Sequence, residues 1–162
     1  MYHTVDLTEK LIKVLDPEKF LVEFAMRDQT PSIEQGLEKL NKANVKKIIV
    51  LPLFPQYASA TNGSVVDKVM EIARTWQIIP NITFINNFVD HPLFVEAWTE
   101  LGKEMMEKEE YDTYLFSYHG LPERQIRKGS VDGYCQLSDK CCGNYTKKNQ
   151  FCYRGQCFHT TR

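Results

Sequence analysis

His119 and the five cysteines between Cys135 and Cys157 are the residues of this 162-residue chain best suited to chemistry. His119 ends a short apolar run, Thr113-Tyr114-Leu115-Phe116-Ser117-Tyr118, and is followed by Gly120-Leu121-Pro122. Aromatic and apolar residues halted by Gly and Pro predict a strand that enters a loop. The imidazole then sits at the strand's carboxyl edge, where open parallel sheets place their ligands. Imidazole changes charge near neutral pH, so it can accept a proton or coordinate a metal there. From position alone the alternative is a histidine that caps the strand and bonds locally.

Cys135, Cys141, Cys142, Cys152 and Cys157 are interleaved with Gly and Lys in a stretch that has neither helical nor strand period. Such a segment has little apolar surface to order itself, and an internal metal crosslink would supply the order. Residues 1–10 carry no apolar core of the kind an export signal needs, and no run approaches the roughly 18 apolar residues that span a bilayer. A cytoplasmic location is expected, where thiols stay reduced, so metal or cluster ligation ranks before disulfides. Four thiols are enough for a [2Fe-2S] centre; a Cys₄ zinc site is the rival, and free thiols are the third reading.

Charge is divided unevenly along the chain. The net charge of −1 is the sum of +5 from His119 onward, where eight Lys and Arg meet three Asp and Glu, and −6 before it. A basic tail with Tyr145, Phe151, Tyr153 and metal-capable cysteines also fits a small nucleic-acid-binding knuckle. Its cysteines lack tight repeated spacing and the body before it is acidic, so no nucleic-acid partner is expected.

A second segment that can bind is Leu51-Pro52-Leu53-Phe54-Pro55-Gln56-Tyr57-Ala58-Ser59-Ala60-Thr61-Asn62-Gly63-Ser64. Prolines stiffen it, aromatic rings offer flat apolar walls, and hydroxyls precede a helix N-terminus, where free N–H groups can hold an anion. A large flat ligand carrying carboxylates suits this loop. Taken alone, it also reads as an ordinary N-cap cluster with Phe54 and Tyr57 in the core.

The elements that must position these residues alternate. A helix near Leu7–Leu15 stops at Asp16-Pro17, and a strand is expected at Phe20–Ala25. Thr30-Pro31 then caps a helix with Ile33, Leu37 and Leu40 on one face. Ile48–Leu51 is a continuous apolar run, as in a strand covered on both faces. A helix from about Thr61 to Trp76 repeats Val65, Val69, Ile72 and Trp76, and Ile82–Ile85 is the third strand. Asp90 caps a helix whose Phe94, Trp98, Leu101 and Met105 form a buried stripe, and the Thr113–Ser117 strand follows. With 43% hydrophobic and 25% charged residues the chain can bury one ordinary core.

The fold class that follows is α/β, a parallel sheet of about four strands with helices on both faces in Rossmann-type layering, then the irregular Cys-rich segment. All strand-to-helix loops would open on one edge, so that Met26-Arg27-Asp28-Gln29, the 52–63 loop, Asn86–His91 and the His119 loop face a single cleft. Residues 1–118 form the α/β half-domain and 119–162 the histidine loop and Cys-rich segment. The abrupt start and finish suggest a fragment.

Leu51-Pro52-Leu53-Phe54-Pro55-Gln56-Tyr57 with Ser59-Ala60-Thr61, Ser117-Tyr118-His119-Gly120-Leu121-Pro122, Gln156-Cys157 with Thr160, and Met26-Arg27 before Pro31-Ser32-Ile33 together resemble the ferrochelatases, enzymes that insert ferrous iron into a porphyrin in haem synthesis. The order and spacing of these pieces agree across nearly the whole chain. The family is built from two similar α/β halves with the porphyrin between them, and this chain resembles most of the first half plus the link to the second. By resemblance, His119 is the active-site histidine, Arg27 a porphyrin-contacting arginine, and Gln56, Tyr57, Ser59 and Thr61 the pocket loop, with Tyr118 beside the histidine a further porphyrin-binding residue. The resemblance implies a native protein of two such halves and a chain that is inactive alone.

The partners implied are porphyrin and the substrate Fe²⁺, with a peripheral membrane contact left open and the oligomeric state set by none of these motifs. A chelatase for another tetrapyrrole, such as sirohydrochlorin, is the nearest alternative. Some members of the family carry a [2Fe-2S] cluster on four cysteines. Where the first ligand of such a cluster lies in the pocket loop, the matching position here is Ser59, so that arrangement is excluded. Cys157 falls where relatives without a cluster can also have cysteine, leaving Cys135, Cys141, Cys142 and Cys152. Neighbouring cysteines rarely both ligate one metal, which keeps Cys157 as the alternative ligand.

Overall fold

The computed structural model describes residues 2–162. Its backbone gathers into two compact units, one made of the residues up to Leu51 with Gly63–Ile85, the other of Pro52–Asn62 with Asn86–Arg162.

In the first unit, α1 (Tyr2–Val14) begins earlier than its apolar pattern predicts and buries none of its residues. Helix α2 (Ile33–Lys42) is capped by Ser32, not Thr30. Ser32 Oγ accepts the Gln35 N–H at 3.2 Å and the Gln35 side chain accepts the Ser32 N–H at 2.8 Å. This reciprocal box satisfies two otherwise orphaned donors, which a cap at Thr30 would leave open.

Strands β1 (Lys47–Val50) and β2 (Asn81–Phe84) are parallel, paired from Lys47 with Asn81 to Val50 with Phe84. They are joined through α3 (Ser64–Ala73). Ile33 and Leu37 of α2, Ile48 of β1 and Val69 of α3 make the buried core, with Val65, Ile72, Trp76, Ile82 and Phe84 packed around it. Each fully buried Val or Ile of this kind contributes about 1.5–3 kcal/mol. The Val65/Val69/Ile72/Trp76 stripe thus does what its spacing predicts.

Among the described residues two strands are found where about four were expected. Residues 20–25 form no ladder; beside them only Met26 bridges Ser32. The run 113–117 is likewise without strand pairing, and Leu115 is 90% exposed. Apolar, β-prone residues become a strand only when a neighbouring backbone completes the hydrogen bonds. Cover on both sheet faces is also not seen in this unit: Ile48 is buried, whereas its neighbour Ile49 is 54% exposed. Side chains alternate across a strand, and the α2/α3 cluster covers only the Ile48 side.

In the second unit, α4 (Pro92–Met106) starts after His91 instead of Asp90. Pro92 occupies the first helical position, where its missing N–H is no loss, and this fixes the cap one residue later. The Phe94/Trp98/Leu101/Met105 stripe is not buried: α4 has no buried residue, although Phe94 packs edge-on against Phe88 and Trp98. Short helices α5 (Glu123–Lys128), α6 (Asp139–Cys142) and α7 (Tyr153–Thr160) complete the unit.

The cysteine segment is more ordered than its lack of period suggests. Asn149 is buried at its centre, donating from Nδ2 to Cys141 O and Asn144 O while its Oδ1 accepts the Thr146 N–H. Phe158, His159 and Thr160 are the last turn of α7. No helix among the described residues is long and apolar enough to cross a membrane.

Candidate active site

The 52–62 loop owes its shape to two buried carboxamides. Asn62, with no exposed surface, donates from Nδ2 to Phe54 O at 3.1 Å and Asn86 O at 2.8 Å. The loop's two ends and the chain after β2 are thereby pinned by one side chain. Gln156 of α7, also wholly buried, accepts the Tyr57 N–H on its Oε1 at 2.6 Å. Gln56 Nε2 donates to Thr160 Oγ1 at 3.1 Å, one turn further along α7.

Residues Ser59–Gly63 form a π-helical turn that runs directly into α3. The expected free N-terminus is therefore partly used up: the Thr61 N–H bonds to Ala58 O at 3.1 Å, and Thr61 Oγ1 donates within the turn. Wide turns of this type recur at functional sites because they redirect side chains without ending the helix. Ser59 is exposed, while Gln56, Tyr57 and Thr61 are half-buried. Phe54 is 43% exposed and not a core residue.

His119 is exposed and lines a cavity of about 430 Å³ with Tyr118, Leu121, Tyr153, Cys157 and Phe158. A second cavity of about 430 Å³ lies beside the loop, bounded by Tyr57, Ser59, Gln125, Lys128, Phe151 and Tyr153. Tyr153 lines both. Burial pushes the Tyr153 phenol up to about 12, helped by the Cys157 thiol beside it, while the His119 backbone opposes the rise. Tyr118 is raised by burial and by Cys157, against a hydrogen bond with Thr160. Helix α7 thus bonds to the pocket loop through Gln156 and Thr160, and lines the His119 cavity with Tyr153, Cys157 and Phe158.

Arg27 belongs to the first unit. Its Nε donates to Ser64 Oγ at 2.9 Å and its Nη1 lies 3.4 Å from Asp28 Oδ1, so the guanidinium is held at the start of α3 with one side exposed.

The thiols fall into a group and an outlier. Cys141 and Cys142 have their Sγ atoms 3.7 Å apart, and Cys135 and Cys152 lie near enough for the thiols to shift one another's ionisation. Cys141, Cys142 and Cys152 are buried and Cys135 half-buried. Burial raises the Cys141 thiol, but backbone bonds at Ser138 and Gln136 and the neighbouring thiols outweigh it and bring it down to about 7. Cys142 goes the other way, up to about 12, through burial and the sulfur beside it. Cys157 is instead part of the His119 cavity, beside Tyr153, and is raised by burial to about 11. Among the described residues, no three His, Cys, Asp or Glu are arranged to hold a single metal ion.

Gln156, Asn62, Tyr153 and Thr160 carry this arrangement, and none of them is among the site residues expected from the sequence. Gln156 and Thr160 belong to the family-like motif, Tyr153 counts only toward the nucleic-acid alternative, and Asn62 gives no signal beyond its type.

Comparison with known proteins covers the whole chain. A family model described as ferrochelatase matches residues 1–162. A protein named ferrochelatase from Legionella pneumophila (strain Corby) is 37% identical over 161 residues, 99% of this chain and 46% of its own length. One of the same name from Coxiella burnetii (strain RSA 493 / Nine Mile phase I) is 38% identical over 149 residues, 90% of this chain and 40% of its own. The chain spans under half the length of these curated relatives.

Proposed function

Because the chain belongs to the ferrochelatase family, we propose that it works as one part of a longer cytoplasmic protein that inserts Fe²⁺ into a porphyrin, and that it is inactive alone. Residues 119–162 then carry the histidine loop and the Cys-rich link toward a second half. The runs 20–25 and 113–117 would become strands of a fuller sheet once a neighbouring backbone pairs with them.

The observation that supports this reading best is α7 meeting both chemistry-bearing loops, through the Gln156–Tyr57 hydrogen bond and through Tyr153, which shares a cavity with His119. Metal insertion requires two pyrrole N–H protons to leave while Fe²⁺ sheds water and meets the ring nitrogens. His119 takes those protons or hands over the iron, on an exposed edge beside an apolar cavity. Tyr57 and Tyr118 wall the macrocycle, Gln56, Ser59 and Thr61 offer polar contacts, and Arg27 offers a cation for a propionate. A rigid aromatic cleft can also bend the ring so that its lone pairs face the incoming ion, using binding energy from remote contacts. A hard-soft argument favours imidazole over thiolate as the iron-handling group, because thiolate would retain the metal.

The second element of the proposal is a [2Fe-2S] cluster on Cys135, Cys141, Cys142 and Cys152. These four thiols lie together and three of them are buried, which fits the Cys₄ donor set of such a centre. Cys157 is given to the histidine cavity instead. When bound, the cluster supplies a crosslink and a one-electron centre; the four cysteines hold it, and Asn149 orders the backbone around them.

The test is turnover by the full-length protein with porphyrin and Fe²⁺, set against sirohydrochlorin with Co²⁺. Haem formation supports the assignment; activity only with the second pair would transfer it to another chelatase.

A further inference from the structure

Gln156 lies 99 residues from the backbone group it grips, yet none of its surface is exposed. Its Oε1 accepts the Tyr57 N–H at 2.6 Å and its Nε2 donates to Gln150 O at 2.7 Å. The carboxamide is therefore a bridge: one end holds the pocket loop, and the other is anchored in the cysteine segment two residues before Cys152. Cys152 is itself the N-cap of α7, and its carbonyl accepts the Gln156 N–H at 2.9 Å. The backbone N–H of half-buried Tyr57, next to the buried Ala58, makes its hydrogen bond to this carbonyl. Removing the acceptor leaves a partly desolvated N–H unpaired, which loosens the loop's hold on this shape.

We infer that Gln156 is a positioning residue for porphyrin binding, setting Tyr57 and Gln56 through the Tyr57 amide and referring the loop to the cysteine segment through Gln150. This rests on the ferrochelatase reading above. It assigns Gln156 no contact with the substrate. Its side chain acts on the loop that bears the binding residues, and the adjoining Gln56–Thr160 bond holds the same loop from the next turn of α7.

The full-length protein serves for the test, with Gln156→Met and Gln156→Glu. Met matches the volume and removes both hydrogen bonds. A glutamic acid buried this deeply stays protonated, so it keeps a carbonyl for the Tyr57 N–H and an O–H for Gln150. The expected result for Gln156→Met is a rise of about tenfold in porphyrin KM, with kcat for iron insertion within about twofold. Hydrogen exchange at the Tyr57 amide should become faster in Gln156→Met, and Gln156→Glu should restore both readouts. Unchanged KM and unchanged exchange in Gln156→Met would overturn the inference, as would equal losses in kcat and melting temperature in both variants. Exchange reads the loop without turnover, so wild-type protein with a protected Tyr57 amide but no iron insertion would sink the ferrochelatase reading and leave the bridge standing.

Discussion

Asn62 donates through one Nδ2 to Asn86 O at 2.8 Å and to Phe54 O at 3.1 Å, tying the chain that leaves β2 to the start of the pocket loop. The side chain has no exposed surface, so water cannot replace it. Substituting Asn62→Leu takes the donor from the Phe54 and Asn86 carbonyls, which should cost about 1–3 kcal/mol of unfolding free energy. Denaturant titration of the full-length protein checks this. A loss below about 0.5 kcal/mol, the range of an ordinary surface change, would contradict it.

The division of the thiols makes a separate prediction. In full-length protein purified under anaerobic conditions, Cys152→Ser should remove visible charge-transfer absorption and bound iron, whereas Cys157→Ser should retain both. Colourless, iron-free wild-type protein would count against the cluster. Loss of iron in Cys157→Ser with retention in Cys152→Ser would reverse the ligand assignment.

Metal-free protein should also titrate in a characteristic order. Cys141, brought to about 7, should give one thiolate step in absorbance at 240 nm near neutrality, absent in Cys141→Ser. Cys142 and Cys157, raised to about 12 and about 11, should ionise only in strong alkali. The signs for stability follow from linkage. Cys141 has a folded value below its ordinary 9.0, so its contribution is complete above 9.0 and is lost as pH falls toward about 7. Cys142 and Cys157 lie above their ordinary 9.0, so their contribution is complete below 9.0 and is lost as pH rises through about 11 to 12. Stability limited by these thiols should therefore peak near pH 9; a monotonic fall from pH 7 to 9 in metal-free protein would contradict the Cys141 environment.

Much of the fold was legible because apolar spacing records which face a helix buries: Val65, Val69 and Ile72 point at the core as their period says. Helix starts were less legible, since Ser32 competes with Thr30 and only the reach of Gln35 decides between them. The runs 20–25 and 113–117 have strand composition but no paired neighbour, and pairing is a property of the partner as much as of the run. The same holds for Trp98, which is 60% exposed at a position whose period reads as core. At the site, His119 and the loop could be picked out by residue type. The residues joining them could not: Gln156 and Asn62 act through backbone partners, which leave no trace in the spacing of side chains.

The most direct measurement is iron insertion and porphyrin affinity in parallel, for full-length wild type and His119→Ala. Removal of the imidazole should lower kcat by at least about 10², while porphyrin dissociation, followed by quenching of porphyrin fluorescence, stays within about threefold. Near-normal turnover in His119→Ala would remove His119 from the chemistry, and loss of porphyrin binding with unchanged kcat would make it a binding residue instead.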